Sequence, residues 1–261
     1  MESLCNLFFE LSNEDRLRIF LQLEGKALRM THLSRELNLT VQETSRHLSR
    51  LSEKKLIQKD IEGFYSFTPS GEQVLRIIPG FEFISEHGEH FTTHTSSCLP
   101  HSFASRIGDL VNSTLTDDVM VAFHRVENRI REAEEYVWIL SDQILMSSLT
   151  PLIEAIKRGA RLKIILPKDL TPPLGFTDHD KQQFFEQAAM SKLMKNRFIE
   201  KVDVAIVMSE KEAAVTFPTL DGRIDYGFGF VTTDKLGHTW CRDLFLYYWE
   251  RATTEIPEHL R

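Results

Sequence analysis

The chain has 261 residues, 42% of them hydrophobic, with 31 Lys and Arg against 38 Asp and Glu and a formal net charge of −7. That length is enough for two domains with separate cores, while no stretch approaches the roughly 20 apolar residues of a membrane helix. The opening MESLCNLFFEL lacks the basic and small-residue features of a signal peptide, and Cys5, Cys98 and Cys241 form no CxxC pair, so neither a disulfide framework nor a zinc ribbon is expected and a cytoplasmic location fits.

In chain order, Leu4, Leu7, Phe8 and Leu11 form a helical stripe suited to core or a dimer contact. Ser12-Asn13 caps a helix from Glu14 to Glu24, with Leu17, Phe20 and Leu21 inward and Gly25 at its end. Thr31 to Leu37 reads as a short amphipathic helix, and Asn38-Leu39 as a turn. Thr40 then starts a second helix, with Glu43 completing a capping box. Thr44, Leu48 and Leu51 recur at four and three residues and face inward, leaving Gln42, Ser45, Arg46, Ser49 and Arg50 on the other faces. Two short helices so joined suggest a helix-turn-helix.

Next come two short strands, Gln58 to Ile61 and Phe64 to Thr68, around a two-residue Glu62-Gly63 turn. Thr68-Pro69-Ser70-Gly71 begins a helix through Val74, Leu75 and Ile78 that Pro79-Gly80 should stop. The segments SRHLSRLSEKKLI and FTPSGEQVL, with the hairpin between them, resemble the winged-helix regulators of the ArsR and MarR type over residues 5 to 78. The resemblance implies a recognition helix in the major groove of double-stranded DNA and a wing on its backbone. Gln42, Ser45 and Arg46 are then candidates for base edges, Arg50, Lys54, Lys55 and Lys59 for phosphate, and Thr40 and Ser49 complete the face.

Charge distribution agrees with that reading. Arg29, Arg35, Arg46, Arg50, Lys54, Lys55 and Lys59 outweigh Glu36, Glu43 and Glu53, so a local positive segment sits in an acidic chain. A homodimer is expected, since one short recognition helix spans too few base pairs for useful specificity.

A further helix is expected from Phe81 to Phe91. It leads into His87, His90, His94, Cys98 and His101, spaced at three, four, four and three, which would share one face of a continuous helix and offer zinc-compatible ligands. A metal-responsive regulator is therefore an alternative function. Gly88, the Thr-Thr and Ser-Ser pairs and Pro100 argue for a broken helix, so no cofactor is assigned and residues 79 to 101 are read as a helical linker.

From residue 102 to 261 the pattern is α/β. Helices are expected at Phe103 to Leu110, Met120 to Glu135, Ser148 to Arg158 and Phe176 to Met194. Strands are expected at Tyr136 to Leu140, Arg161 to Leu166, Val202 to Met208, Glu212 to Phe217 and Tyr226 to Val231, with a closing aromatic helix from Leu236 to Thr253. LPHSFASRIGDL, EEYVWILSDQIL, GARLKIILP and WCRDLFLYYWERA resemble the C-terminal domain of archaeal winged-helix regulators that include the methanogenesis regulatory proteins. That likeness implies a phospholipase D-like sheet as in sugar-responsive TrmB-type regulators, and a role in ligand sensing and dimerisation. The fold class expected is an α+β winged helix followed by an α/β phospholipase D-like domain.

A phospholipase D-type hydrolase needs HxKxxxxD twice; His179-Asp180-Lys181 with Glu186 is a single partial match ending in the wrong acid. No GxSxG, P-loop or GxGxxG is present, and a non-enzyme is expected. An unknown small-molecule effector should lie beyond the carboxyl ends of the parallel strands, near Asp142, Gln143 and Lys168, with Arg242 facing the same crevice. The remaining alternative is a non-catalytic protein-interaction module.

Overall fold

The structure, a computed structural model, describes residues 1–171, 173, 177 and 192–258. The fold is mixed α+β, and the chain divides into two units, Met1–Pro79 and Gly80–Arg261.

The first unit opens with α1 (Glu2–Leu11) and α2 (Glu14–Gln22). Asn13 caps α2 by accepting the Arg16 N–H at 3.0 Å, and Glu14 and Asp15 favour its positive end. Strand β1 (Leu28–Arg29), α3 (Met30–Glu36) and α4 (Val41–Glu53) follow, then β2 (Ile57–Lys59) and β3 (Phe64–Phe67). The strands form an antiparallel sheet in the order β1-β3-β2. Ile19, Phe20, Leu23, Leu33, Leu48, Leu51, Leu56 and Ile57 make the core. Ile19 takes the inward place expected of Leu21, which is exposed.

The hairpin loop is wider than the expected two residues. Asp60 Oδ1 accepts the Glu62 and Phe64 N–H groups at 2.9 and 2.8 Å, so Asp60–Gly63 closes as an Asx-stabilised loop with Gly63 at φ 87°. Helix α5 (Pro69–Glu86) runs through Pro79 instead of stopping there. Proline removes one backbone donor, but Val74, Leu75 and Ile78 pack on the core before it and Phe83 is buried after it, so apolar burial carries the helix past.

The second unit holds a seven-stranded sheet, order β4-β10-β9-β8-β5-β6-β7. The strands are β4 (Thr114–Thr116), β5 (Tyr136–Leu140), β6 (Arg161–Pro167), β7 (Met194–Ile199), β8 (Ala205–Ser209), β9 (Ala213–Thr216) and β10 (Gly229–Thr232). Strands β5, β6 and β7 run parallel, and the other pairs are antiparallel. Alternate residues divide between two apolar clusters. Ile165, Ile206, Met208, Val215 and Phe230 face the closing helix α10 (Lys235–Arg251), whereas Leu162, Ile164 and Leu166 face α8 (Val119–Glu132) and α9 (Met146–Arg158). Gly159 at φ 101° ends α9 and turns the chain into β6.

Short helices α6 (His90–Thr93) and α7 (His101–Ala104) precede a 3-10 turn at Ile107–Leu110. The expected helix from Phe103 to Leu110 breaks because the Phe103 carbonyl accepts from Arg106 N at 3.0 Å and Trp240 Nε1 at 3.2 Å instead of continuing the α pattern. Residues 80–101 are not a free linker but part of the second unit: Phe83 is in its core, and Thr95 N donates to the Pro218 carbonyl at 2.9 Å. Most of the helix expected from Phe176, and the His179–Glu186 partial match, lie outside the described residues; Met194 itself opens β7.

Candidate functional site

On α4 the capping box forms as its sequence requires. Glu43 N donates to Thr40 Oγ1 at 3.2 Å, and Thr40 N and Oγ1 donate to Glu43 Oε2 at 3.0 and 2.7 Å. These bonds hold the Glu43 carboxyl below the usual carboxylate range. They also commit the Thr40 hydroxyl, so Thr40 positions the helix start and has no free donor for DNA.

Thr44, Leu48 and Leu51 are buried together with His47, which the apolar stripe did not announce. Burial pushes the His47 pKa down. Gln42, Ser45, Arg46 and Ser49 stand exposed on the opposite face. Before them, Asn38 at φ 55° makes the turn, and Ser34 Oγ donates to the Leu39 carbonyl at 2.8 Å to close it.

Arg50 differs from its expected role. Its guanidinium grips the buried Glu10 carboxylate of α1, which Arg16 of α2 also approaches at 3.2 Å. This ion cluster ties three helices together and leaves Arg50 little freedom to serve phosphate. Lys54 and Lys55 are exposed at the C-terminal end of α4, Lys55 in the left-handed region at φ 58°. Lys59 is exposed on β2, its ammonium 5.6 Å from the Tyr65 ring centroid, and Ile61 at the loop tip is fully exposed.

The His/Cys series does not assemble. His90 and His94 stack at 4.1 Å, and His87 and His90 pack against Phe230. Burial first, then the nearby Asp203 charge, pushes the Cys98 thiol pKa up, and His101 is exposed. Among the described residues no group of three or more His, Cys, Asp or Glu is arranged to hold a metal ion.

A cavity of about 80 Å³ lies between α8, α9 and the sheet, in the second unit. Its walls are mostly apolar, including Phe123, Val126, Leu152, Ile164 and Val207. Arg129 stands in this wall with its side chain 1% exposed; Nη2 donates to Glu212, while Nε and Nη1 have no partner among the described residues. Desolvation lowers the Arg129 pKa and Glu212 opposes the shift. Ser148 Oγ is likewise buried and unpartnered. At the other end Tyr226 donates to Asp142 Oδ1 at 2.5 Å and lies 2.7 Å from Ser141 Oγ. Burial, then the neighbouring Asp142 charge, raises the Tyr226 pKa, so the phenol stays protonated.

Of the four residues expected around an effector, Gln143 lines the cavity and Asp142 reaches its edge through Tyr226. Lys168 does not: it is exposed and paired with Glu200. Arg242 does not either, because it sits on α10, across the sheet, beside Asp243 at 3.2 Å. Arg129, Glu212, Ser148 and Tyr226 were missed. One signal was legible: Arg129 falls between Val126 and Ile130 on the apolar face of α8, where a charge is costly unless satisfied. Glu212, at the start of an expected strand, is its partner.

No protein-family model matches the chain, and no curated protein matches it. Among solved structures, TrmBL2, an archaeal chromatin protein whose structure shows a novel mode of DNA binding, is similar at 16% identity and TM-score 0.46, over 93% of this chain and 94% of that one. NucT from Helicobacter pylori is similar at 10% identity and TM-score 0.41, over 54% of this chain and 98% of that one. Nuc from Salmonella typhimurium, a phospholipase D family member, is similar at 10% identity and TM-score 0.39, over 54% of this chain and 95% of that one. At such scores the functional argument rests on the residues themselves.

Proposed function

We propose that this protein is a DNA-binding transcription regulator, in which a winged helix formed by the first unit reads an operator as a homodimer and a non-catalytic second unit senses an effector. One observation carries the reading. Helix α4 buries one face completely and presents Gln42, Ser45, Arg46 and Ser49 on the other, flanked by the free cations Lys54, Lys55 and Lys59. Short polar side chains around one arginine suit base edges in a major groove, and exposed lysines suit phosphate. Arg50 drops from the phosphate set because Glu10 holds it, and Thr40 from the base-reading face because its hydroxyl caps the helix.

A phospholipase D-type reaction lacks support in the sequence, where the HxKxxxxD pair is missing. None of the helices in the described residues is long and apolar enough to cross a membrane. An effector would act by preferring one arrangement of the two recognition helices in the dimer, and can change affinity only by its differential binding to the two states.

The test is fluorescence anisotropy with duplex from upstream of the protein's own gene and with random duplex of equal length, across a salt series. Tighter binding to the upstream duplex with a steep salt slope is expected. No binding to either duplex at low salt would overturn the reading in favour of a winged helix that meets protein.

A further inference from the structure

The cavity in the second unit has a chemistry of its own. A guanidinium taken out of water loses several kcal/mol of hydration unless charge and hydrogen bonds replace it, and Glu212 meets only Nη2 of Arg129. Two donors of a residue that lines this mostly apolar chamber remain unmet, with the Ser148 hydroxyl also unmet. The chamber volume of about 80 Å³ exceeds several-fold the roughly 10–15 Å³ that one water needs. Arg125 also lines it, but is exposed.

We propose that this cavity binds a small apolar monocarboxylate, its carboxylate on the donors of Arg129 that Glu212 leaves free and its hydrocarbon part against Phe123, Val126, Leu152 and Val207. The two unmet N–H donors of one guanidinium fit a single carboxylate. The apolar wall disfavours inorganic phosphate, which would lose its hydration with little to replace it. It disfavours sugars for the same reason, since each buried hydroxyl needs a partner and the lining supplies few. Bonding to the ligand satisfies Nε and Nη1, and the alkyl or aryl part gains roughly 25 cal/mol for each Å² it removes from water. This inference rests on the reading of the second unit as a sensor and names the class of what it senses.

The experiment uses the full chain in isothermal titration and thermal-shift series. The probes are butanoate, hexanoate, octanoate and phenylacetate, each beside the alcohol of equal carbon skeleton, with maltose and inorganic phosphate as further probes. Saturable binding of at least one carboxylate at one site per chain is expected, at least ten-fold tighter than its alcohol. Arg129→Gln should weaken it by ten-fold or more. Because Arg129→Gln also unpairs Glu212 and can unfold the unit, Ala122→Phe serves as a second variant: it narrows the chamber and keeps Arg129, and should abolish binding with the unfolding transition intact. No carboxylate binding, equal affinity for acid and alcohol, or a preference for maltose would each overturn the proposal. Anisotropy with duplex DNA on the same samples separates the two readings. DNA binding without carboxylate binding sinks only the ligand assignment, and carboxylate binding without DNA binding sinks only the regulator reading.

Discussion

The carboxylate of Glu10 accepts two hydrogen bonds from Arg50, one from Nε at 2.8 Å and one from Nη2 at 2.7 Å, joining α1 to the helix that carries the candidate DNA face. Glu10 is buried, and the Arg50 hydrogen bonds lead the causes that hold its pKa below the ordinary value. The favourable contribution is present above the ordinary carboxylate range and is lost as pH falls through the lower folded value. Glu10→Gln should lower the melting temperature of the first unit by roughly 5–10 °C, because it also leaves the buried Arg16 without its counter-charge. Arg50→Ala should lower it less and, at equal folded fraction, leave the salt slope of DNA binding unchanged. A slope reduced by about one would return Arg50 to the phosphate contacts.

Arg46 and Lys59 should separate base reading from backbone contact. Arg46→Ala is expected to cost on the order of 1–3 kcal/mol on the specific duplex and to relax sequence preference. Lys59→Ala should weaken specific and random duplex alike and flatten the salt dependence. Anisotropy titrations with both duplexes decide the matter, and equal losses for Arg46→Ala on the two would remove it from the base-reading set.

Gly71 lies in the first turn of α5 directly over the backbone of Leu56. A Cβ there would stand 1.9 Å from the Leu56 carbonyl oxygen, which already accepts Thr68 N at 3.1 Å. Backbone cannot yield as a side chain can, so Gly71→Ala should destabilise the first unit by about 3 kcal/mol or more. Urea unfolding is the check, and a wild-type midpoint would contradict the contact.

His90 gives the second unit a pH dependence. Burial first, then the neighbouring His94 and His87, lowers its pKa to about 4, and burial lowers that of His87 as well. The unfolded chain therefore binds more protons than the folded one between the ordinary histidine value of about 6.5 and 4. Stability is complete above the upper limit and falls as pH drops through this window, by roughly 1.4 kcal/mol per pH unit for each such proton. Substituting His90→Phe keeps an aromatic ring beside Phe230 and should flatten the dependence by about one proton. An unchanged slope in denaturant titrations at several pH values would assign the effect to other groups.

Much of the framework was readable from local pattern. Thr40 and Glu43 announce the start of α4, and Thr44, Leu48 and Leu51 its buried face. The run YVWIL, the Gly159 stop and RLKIIL place β5, the end of α9 and β6 within a residue or so. These features are short-range: a cap, a period and a left-handed glycine act within one or two turns, so the chain states them without knowing its neighbours.

What only the tertiary structure decided involves segments that meet across long separations. β4 and β7 are the sheet edges, and TLT and MKNRFI carry too little apolar pattern to mark them as strands; their neighbours β10 and β6 make them so. Pro79 reads as a stop, yet burial of Phe83 beyond it extends α5. Arg50 looks like a free cation on a basic helix until Glu10, 40 residues earlier, takes its guanidinium. Arg129 and Glu212, 83 residues apart, become an ion pair with its arginine buried only when α8 folds onto the sheet. The physical reason is shared: local pattern records which side a residue faces, but whether a neighbouring strand, an apolar core or a charged partner meets it there depends on what the rest of the chain brings against it.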